Sequence, residues 1–278
     1  NLYSNRDMIV EDERRWPFGY LGLPKGSGKI HDLEYFDYRF FQVPESEANY
    51  LDAQVRIALE ICFEALWDAG LDPETLSGSR TGVFLGNCFD EFLSAYAQDY
   101  TRVPAFRQCF YAALANIYDF RGPSKPFDTA CASGFSALHE ALVSLRSGEC
   151  DRAIVLGLNV CLRAVTQNQF LKLNMISPDG HCKCLDADAN GYAKGEATVA
   201  FIVQPEKEAK RIYAELVHSK TNSDGFKDLG ITYPSFELQC ELMKDCYKEI
   251  GLDPNVVDYC EAHCTGTQAG DPSEMRAI

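Results

Sequence analysis

The fold of this chain is decided by the stretch Asp128-Thr129-Ala130-Cys131-Ala132-Ser133-Gly134, which lies between a predicted strand and a predicted helix. Beyond it, apolar residues recur at spacings of three and four, as on one face of a helix: Phe135, Leu138, Leu142 and Leu145. Residues 153–160 are then apolar on both faces, which is typical of a parallel strand buried on both sides. The pattern predicts a strand-helix-strand crossover in an α/β sheet. Cys131 would lie at the carboxyl end of the first strand, where such sheets bind ligands.

Cys131 is a candidate nucleophile because of this position. A thiol at a helix N-terminus is close to the positive end of the helix dipole and to backbone N–H groups, and both favour the thiolate. The chain has 12 cysteines, and a cysteine is more often a small buried apolar residue than a catalytic group. The predicted strand-to-helix turn is what distinguishes Cys131 from the others.

Composition narrows the class of protein. A chain of 278 residues with 46% hydrophobic content can bury a large core, as one α/β domain or as two halves. We find no apolar run of about 18 residues or more and no signal-like start, so we expect a cytoplasmic protein with reduced cysteines and no membrane span. The net charge of −15 argues against a nucleic-acid partner. An acidic protein partner would need a basic patch, for which Lys207, Lys210 and Arg211 are candidates, although solvated surface charges are the commoner explanation.

The order helix, Gly-Leu-Asp-Pro, strand occurs twice. A helix is predicted over 51–69, with Val55, Leu59, Cys62 and Leu66 on one face, and a strand over 81–86. The second copy predicts a helix over 236–250 and a strand over 257–262. An internal structural duplication is one interpretation. A chance recurrence of a common helix ending is the other.

The second of these strands leads into Glu261-Ala262-His263-Cys264-Thr265-Gly266-Thr267. A single histidine is more often structural than catalytic. His263 and Cys131, however, occupy like positions at the ends of two predicted strands, which makes His263 a candidate partner of the thiol. Thr265 and Thr267 offer hydroxyl groups to a ligand. Asp271, before Pro272 and Glu274, completes the pattern of a helix N-cap.

Two other clusters carry less weight. His181, Cys182 and Cys184 resemble part of a metal site, but no second ligand pair stands at a suitable spacing, so packing is the better interpretation and we expect no metal. Gly191-Tyr192 with Gly195-Glu196 lacks a phosphate-loop pattern and is more typical of a tight turn.

Five motifs occur in order over most of the chain: Asp128-Thr129-Ala130-Cys131; Ser177-Pro178-Asp179-Gly180; Gly191-Tyr192 with Gly195-Glu196; Glu261-Ala262-His263 with Thr265-Gly266-Thr267; and Gly270-Asp271-Pro272. In this order they resemble the β-ketoacyl synthases. The stretch from Leu2 to Pro17 resembles the animal type I fatty acid synthase branch of that family. The run Ala132-Ser133-Gly134 differs from the serine-rich version usual in that branch, which leaves room for a related polyketide synthase.

The resemblance implies a thiolase-like α/β fold, with two related halves in a layered α/β/α/β/α sandwich. It places an irregular N-terminal region at 1–50, the half with the nucleophile at 51–210, and the start of an incomplete C-terminal half at 211–278. Such enzymes are homodimers that perform decarboxylative Claisen condensation on acyl carrier protein thioesters. They bind no metal or organic cofactor themselves, since phosphopantetheine carries the substrates. In multifunctional synthases an acyltransferase domain belongs to the same polypeptide.

The resemblance also assigns roles. Cys131 would accept the acyl group, and its backbone N–H would form part of the oxyanion hole. His263 would be one of two histidines that support malonyl decarboxylation, while Thr265 and Thr267 would contact pantetheine or malonyl. In the family a second histidine and a lysine follow later, beyond Ile278, so we expect a segment of a longer protein and no condensing activity from these residues alone. Cys264 stands where the family usually has Gly.

Two alternatives remain at this level. A Cys-His hydrolase would release a free acid, and it would need an Asn or Asp to orient the histidine. A non-catalytic partner subunit would only shape the acyl pocket. The presence of both Cys131 and His263 argues against the partner subunit, because such subunits tend to lose the nucleophile.

Overall fold

The computed structural model describes residues 2–88, 91 and 110–278. The chain forms two compact units, which we name after the candidate site residue that each contains. The Cys131 unit comprises Ile30–Leu162 and Glu196–Leu216, and the His263 unit comprises Asn1–Lys29, Arg163–Gly195 and Val217–Ile278. Within the described ranges, no helix has both the length and the apolar character needed to cross a membrane.

The strands are, in chain order, β1 (Ile9–Glu11), β2 (Gly26–Gly28), β3 (Thr81–Asn87), β4 (Ser124–Phe127), β5 (Arg152–Asn159) and β6 (Ala197–Val203). The helices are α1 (Glu45–Ala48), α2 (Ala53–Asp68), α3 (Pro73–Leu76), α4 (Phe110–Ile117), α5 (Ser133–Arg146), α6 (Ala164–Lys172), α7 (Phe236–Ile250) and α8 (Gly270–Ala277).

The Cys131 unit is built on a four-stranded sheet of order β4-β3-β5-β6. β3 pairs in parallel with both β4 and β5, whereas β6 runs antiparallel to β5. Alternate residues of β3 point to opposite faces: Val83 and Leu85 pack against residues of α2 and α4, and Phe84 packs against α5. The unit therefore has helices on both faces of the sheet, as the predicted crossover requires.

Most of the elements predicted in this unit are confirmed. The four apolar residues predicted for one face of α2 are all buried. The helix is capped at its start by the Asp52 side chain, which accepts a hydrogen bond from Gln54 N, and it is followed by Gly70 with φ +68°. β3 and β5 are buried along most of their length. β4, in contrast, is only half-buried, and its Pro126 is compatible with a position next to a single neighbouring strand.

The face predicted for α5 is confirmed in part. Leu142 is buried, and Leu138 and Leu145 are half-buried and pack against the core cluster that contains Phe84. Phe135, in contrast, is 76% exposed, and most of the fully buried residues are small: Ser133, Ala137, Ala141 and Ser144. At its start α5 lies so close to the sheet that a side chain on Gly86 would collide with the helix backbone. Small side chains fit that narrow space, and Phe135 lies outside it.

The His263 unit contains the short antiparallel pair β1 and β2, together with α6, α7 and α8. The helix predicted over 236–250 is confirmed as α7. Gly251 after it has φ +64°, and the Asp253 side chain accepts a hydrogen bond from the backbone N–H two residues later, as Asp72 does in the other unit. The strand predicted over 257–262 is wrong. A strand is defined by backbone pairing, and these residues form no ladder with any part of the chain that the structure describes.

Candidate active site

Cys131 lies on a tight turn between β4 and α5. The turn is a short 3-10 segment, Ala130–Ala132, and the Cys131 side chain is exposed. Ala130 has φ +53°, a left-handed conformation that residues with a Cβ rarely adopt. The chain thus changes from strand to helix within a few residues, and this presents the thiol at the N-terminal end of α5, as the sequence pattern predicts.

Hydrogen bonds from the first turn of α5 hold this segment. The Ser133 hydroxyl accepts from Thr129 N at 3.0 Å and donates to Ala130 O at 2.6 Å. The Asp128 carboxylate accepts from Ala130 N at 3.4 Å, and Ala132 N donates to Thr129 O at 3.1 Å. The backbone on both sides of Cys131 is therefore fixed by polar contacts within the turn.

Glycines set the distance between this turn and the sheet. A Cβ on Gly86 would lie 2.4 Å from the carbonyl carbon of Ser133 and 2.5 Å from Gly134 N. On the neighbouring strand, a Cβ on Gly157 would lie 3.8 Å from the Gly134 Cα, which is ordinary contact. Gly86 is thus the position where the absence of a side chain lets the helix start so close to the sheet.

His263 lies in the loop that precedes α8, and it is exposed. The Glu274 carboxylate accepts two backbone hydrogen bonds from this loop, from His263 N at 2.7 Å and from Cys264 N at 2.8 Å. Asp271 is buried, and its carboxylate accepts from Gly266 N at 3.0 Å and from Thr267 N at 3.4 Å. Two carboxylates on one turn of α8 therefore hold four backbone N–H groups of the loop.

The predicted N-cap role of Asp271 is wrong. The residue before α8 is Ala269, which has no side chain that could cap the helix. Asp271 lies inside the first turn, and its second oxygen accepts from Leu185 N at 2.9 Å. The carboxylate binds amides of the loop and of a distant segment in place of the amides of its own helix.

Thr265 and Thr267 lie together in the same loop as His263. Their hydroxyl oxygens are 3.2 Å apart, and the Thr267 hydroxyl accepts from Gly270 N at 3.1 Å. Between them Gly266 has φ +78°, and its carbonyl accepts from Gly191 N at 2.9 Å. The structure therefore brings three of the predicted site residues into one loop of the His263 unit, while Cys131 belongs to the other unit.

Several of the remaining cysteines lie in surroundings that disfavour the thiolate, although Cys182 and Cys260 are exposed, as Cys131 is. Burial raises the pKa of the Cys184 and Cys264 thiols, and nearby carboxylates raise the pKa of both further. Burial also raises the pKa of Cys62 and Cys150. These thiols are poor nucleophiles at neutral pH, because the thiolate is the reactive form. Eleven cysteines fall within the described residues, and all are present as thiols.

The cysteines of the predicted metal cluster bind backbone groups of neighbouring segments. Ala193 N donates to Cys182 Sγ at 3.1 Å, and Cys184 Sγ donates to Cys264 O at 2.6 Å. In the described parts of the chain, no three metal-ligating side chains converge on one point.

In the candidate basic patch, Lys210 donates to Gly70 O at 2.7 Å and Arg211 pairs with Asp68 at 2.6 Å. These two cations hold the end of α2, which favours the interpretation as ordinary surface charges.

Sequence reasoning missed three features of the site: the left-handed backbone at Ala130, the double hydrogen bond of Ser133 and the clamp formed by Glu274. Glu274 was predicted only as part of the capping pattern that begins at Asp271, and that pattern did not indicate its hydrogen bonds to the His263 loop. Ser133 gave no signal, because a serine near a helix start is common.

The exposed thiol on a strand-to-helix turn, and the loop that carries His263 with two threonines, stand where the β-ketoacyl synthase motifs predict them. Comparison with known proteins gives the family. The family model "Beta-ketoacyl synthase, N-terminal domain" matches residues 1–209, and "Beta-ketoacyl synthase, C-terminal domain" matches residues 213–278. The chain belongs to the β-ketoacyl synthase family, as its motifs predict.

Individual relatives agree with this membership. A fatty acid synthase of Anser anser anser is 42% identical over the whole chain, which covers 80% of that protein. The highly reducing polyketide synthase dmxL2 of Cryptosporiopsis is 40% identical over 89% of the chain, which covers 11% of that protein. The solved ketosynthase from module 6 of the bacillaene synthase of Bacillus subtilis 168 is 34% identical, with a TM-score of 0.91; the chain covers 49% of it. The chain thus spans about half of that ketosynthase, and the predicted thiolase-like fold is confirmed.

Proposed function

We propose that the protein containing this chain condenses an acyl group held on Cys131 with malonyl-acyl carrier protein, in fatty acid or polyketide chain elongation. The products are a β-ketoacyl carrier thioester and CO2. The observation that carries the proposal is the exposed thiol on the turn before α5, inside the region that matches the ketosynthase N-terminal domain. Homologues in fatty acid and polyketide synthases support the same reaction class.

The chemistry needs two acyl transfers. First, the Cys131 thiolate attacks the carbonyl carbon of an acyl thioester, and the phosphopantetheine thiol leaves. Malonyl thioester then loses CO2, and the carbanion so formed attacks the acyl-Cys131 thioester and releases the thiolate. Donors aimed at the developing oxyanion lower both barriers, since positioned hydrogen bonds act most strongly on charge that appears in the transition state.

We assign these donors by the family resemblance. The backbone N–H of Cys131, in the turn that precedes α5, contributes to the oxyanion hole for the acyl thioester. His263 stabilises the malonyl oxyanion during decarboxylation, and Thr265 and Thr267 contact pantetheine or malonyl. The geometry of the loop supports the roles of His263, Thr265 and Thr267. The Asp271 and Glu274 carboxylates hydrogen-bond to the backbone of the loop that carries these three side chains.

The partners follow from the same proposal. An acyl carrier protein delivers both thioesters on phosphopantetheine, an acyltransferase domain loads the malonyl group, and the protein acts as a cytoplasmic homodimer. The ketosynthase domain itself holds no metal or organic cofactor in this scheme. Each of these points stays a prediction.

The test is acylation of the full-length protein by an acyl-carrier thioester, followed by intact mass measurement. We expect one stable acyl adduct in the wild type and none in Cys131→Ala. Addition of malonyl-carrier should then discharge the adduct as β-ketoacyl product, and His263→Ala should slow this second step. Rapid release of free acid would identify a hydrolase, and the absence of any adduct would identify a non-catalytic subunit. Either result would contradict the proposal.

A further inference from the structure

We propose that Ser133 is a positioning residue, whose hydroxyl holds the backbone of the Cys131 turn in the geometry needed for acyl transfer. This inference rests on the proposed function, because it concerns the residue assigned there as the nucleophile. The hydroxyl lies two residues after Cys131, at the first position of α5. Nothing in its sequence context distinguishes it from a serine that simply starts a helix.

The first argument is the pair of hydrogen bonds that the hydroxyl makes. It accepts from Thr129 N at 3.0 Å and donates to Ala130 O at 2.6 Å. Both partners are backbone groups on the N-terminal side of Cys131, so one side chain ties the helix to the segment that leads into the nucleophile. Ser133 is only 4% exposed, so water cannot easily replace these bonds.

The second argument is the strained conformation that the hydroxyl holds. Ala130 has φ +53°, which an alanine adopts only when the surroundings impose it. The Ala130 carbonyl is the acceptor of the Ser133 hydroxyl. The same carbonyl also accepts the Ser133 backbone N–H. Loss of the hydroxyl bond removes one of these two restraints, which loosens the peptide group between Ala130 and Cys131. That peptide group carries the Cys131 N–H, the donor assigned to the oxyanion hole.

The third argument is that the start of α5 packs closely against the sheet. The Ser133 backbone lies against Gly86, where a Cβ would come within 2.4 Å of it. The sheet therefore determines where the Ser133 hydroxyl lies. Through its two hydrogen bonds, the hydroxyl in turn determines where the backbone before Cys131 lies.

The test compares the wild type with Ser133→Ala, Ser133→Thr and Ser144→Ala in the full-length protein. Ser133→Thr keeps the hydroxyl. Ser144→Ala is the matched control, because Ser144 is also a buried serine of α5 and its hydroxyl donates to Glu149 at 3.1 Å, far along the helix from the turn. Two rates are measured. Acylation by an acyl-pantetheine thioester is followed by intact mass. Alkylation by iodoacetamide, which requires no acyl recognition, is followed by mass spectrometry of the peptide that contains Cys131, because other cysteines are exposed as well.

We expect Ser133→Ala to lower kcat for acylation by about tenfold to a hundredfold and to leave KM within about twofold. The reason is that a misplaced donor reduces the stabilisation of the transition state more than it reduces the binding of the acyl thioester. Alkylation should slow by about threefold or more, while Ser133→Thr and Ser144→Ala stay within about twofold of the wild type in both rates. Wild-type rates in Ser133→Ala would overturn the proposal, and so would an equal loss in Ser144→Ala or an alanine-like loss in Ser133→Thr. If the wild type is alkylated at Cys131 but never acylated, the proposed function fails, and the alkylation rates alone still decide the role of Ser133.

Discussion

Replacement of Gly86 by alanine is expected to push the start of α5 away from the sheet and to displace Cys131 with it. The new Cβ would lie 2.4 Å from the Ser133 carbonyl carbon, whereas ordinary van der Waals contact begins at 3.4 Å, so the helix must shift by about 1 Å. Such overpacking costs about 1–3 kcal/mol. The reduced entropy of the unfolded chain offsets about 0.4–1 kcal/mol of that cost.

The difference leaves a net loss of up to about 2.6 kcal/mol, which corresponds to a fall in melting temperature of up to about 10 °C at about 2–4 °C per kcal/mol. Gly157→Ala is the matched control. This substitution reduces the entropy of the unfolded chain in the same way. Its Cβ, however, would lie 3.8 Å from the Gly134 Cα and would force no movement of the helix. Thermal unfolding and the rate of Cys131 alkylation by iodoacetamide are measured for both variants. The reasoning is refuted if Gly86→Ala melts at or above the temperature of Gly157→Ala and its thiol reacts at the wild-type rate.

Three further predictions follow from single contacts. Glu274→Gln leaves one amide oxygen for two backbone N–H groups of the His263 loop, so we expect thermal unfolding to show a melting temperature about 2–8 °C lower; an unchanged temperature would contradict the clamp. The Lys29 ammonium hydrogen-bonded to Asp12 holds the pKa of that carboxyl below its ordinary value, so its stabilisation is present above the unfolded pKa and is lost as the pH falls through the folded pKa. Asp12→Asn should therefore melt below the wild type at pH 7, and this difference should shrink as the pH falls through the folded pKa of Asp12, which lies below its ordinary value. An unchanged difference between the two proteins over that acid range would be evidence against this. Tyr118→Phe removes a buried hydroxyl that donates to a carbonyl of α2 at 2.8 Å, and urea unfolding should show a loss of about 1 kcal/mol, a neutral result being inconsistent with a formed bond.

The contrast between α2 and α5 shows what periodicity can predict. The buried face of α2 follows from its large apolar residues, because α2 packs against a broad apolar surface of the sheet. The buried face of α5 follows only in part: three of its predicted leucines pack against the core, but Phe135 is exposed, and the start of the helix meets Gly86 so closely that only a small residue such as Ser133 fits there. Hydrophobic periodicity records polarity but not the size of the available space, and that space is set by a residue on another element.

Pairing is the second limit. The residues over 257–262 have the composition of a strand, and the preceding Gly-Leu-Asp-Pro turn forms as it does in the first copy. Composition cannot supply a partner backbone, however, and the described residues place none beside them. Motifs identified the candidate residues Cys131 and His263 by position. The contacts that hold their loops come from Ser133 and Glu274, which lie nearby in the chain, but the residue types alone did not indicate which backbone groups these side chains would bind.

The two candidate residues share one structural device, although they lie in different units. In each case a side chain of the following helix hydrogen-bonds to the backbone of the loop that carries the candidate residue. Ser133 binds Ala130 O and Thr129 N, and Glu274 binds the amides of His263 and Cys264. A loop fixed in this way can present an exposed side chain without burying it, because the restraint acts on the backbone and leaves the functional atoms accessible. It also requires no particular identity at the exposed position. Replacement of either candidate residue should therefore abolish its chemistry and leave the loop in place.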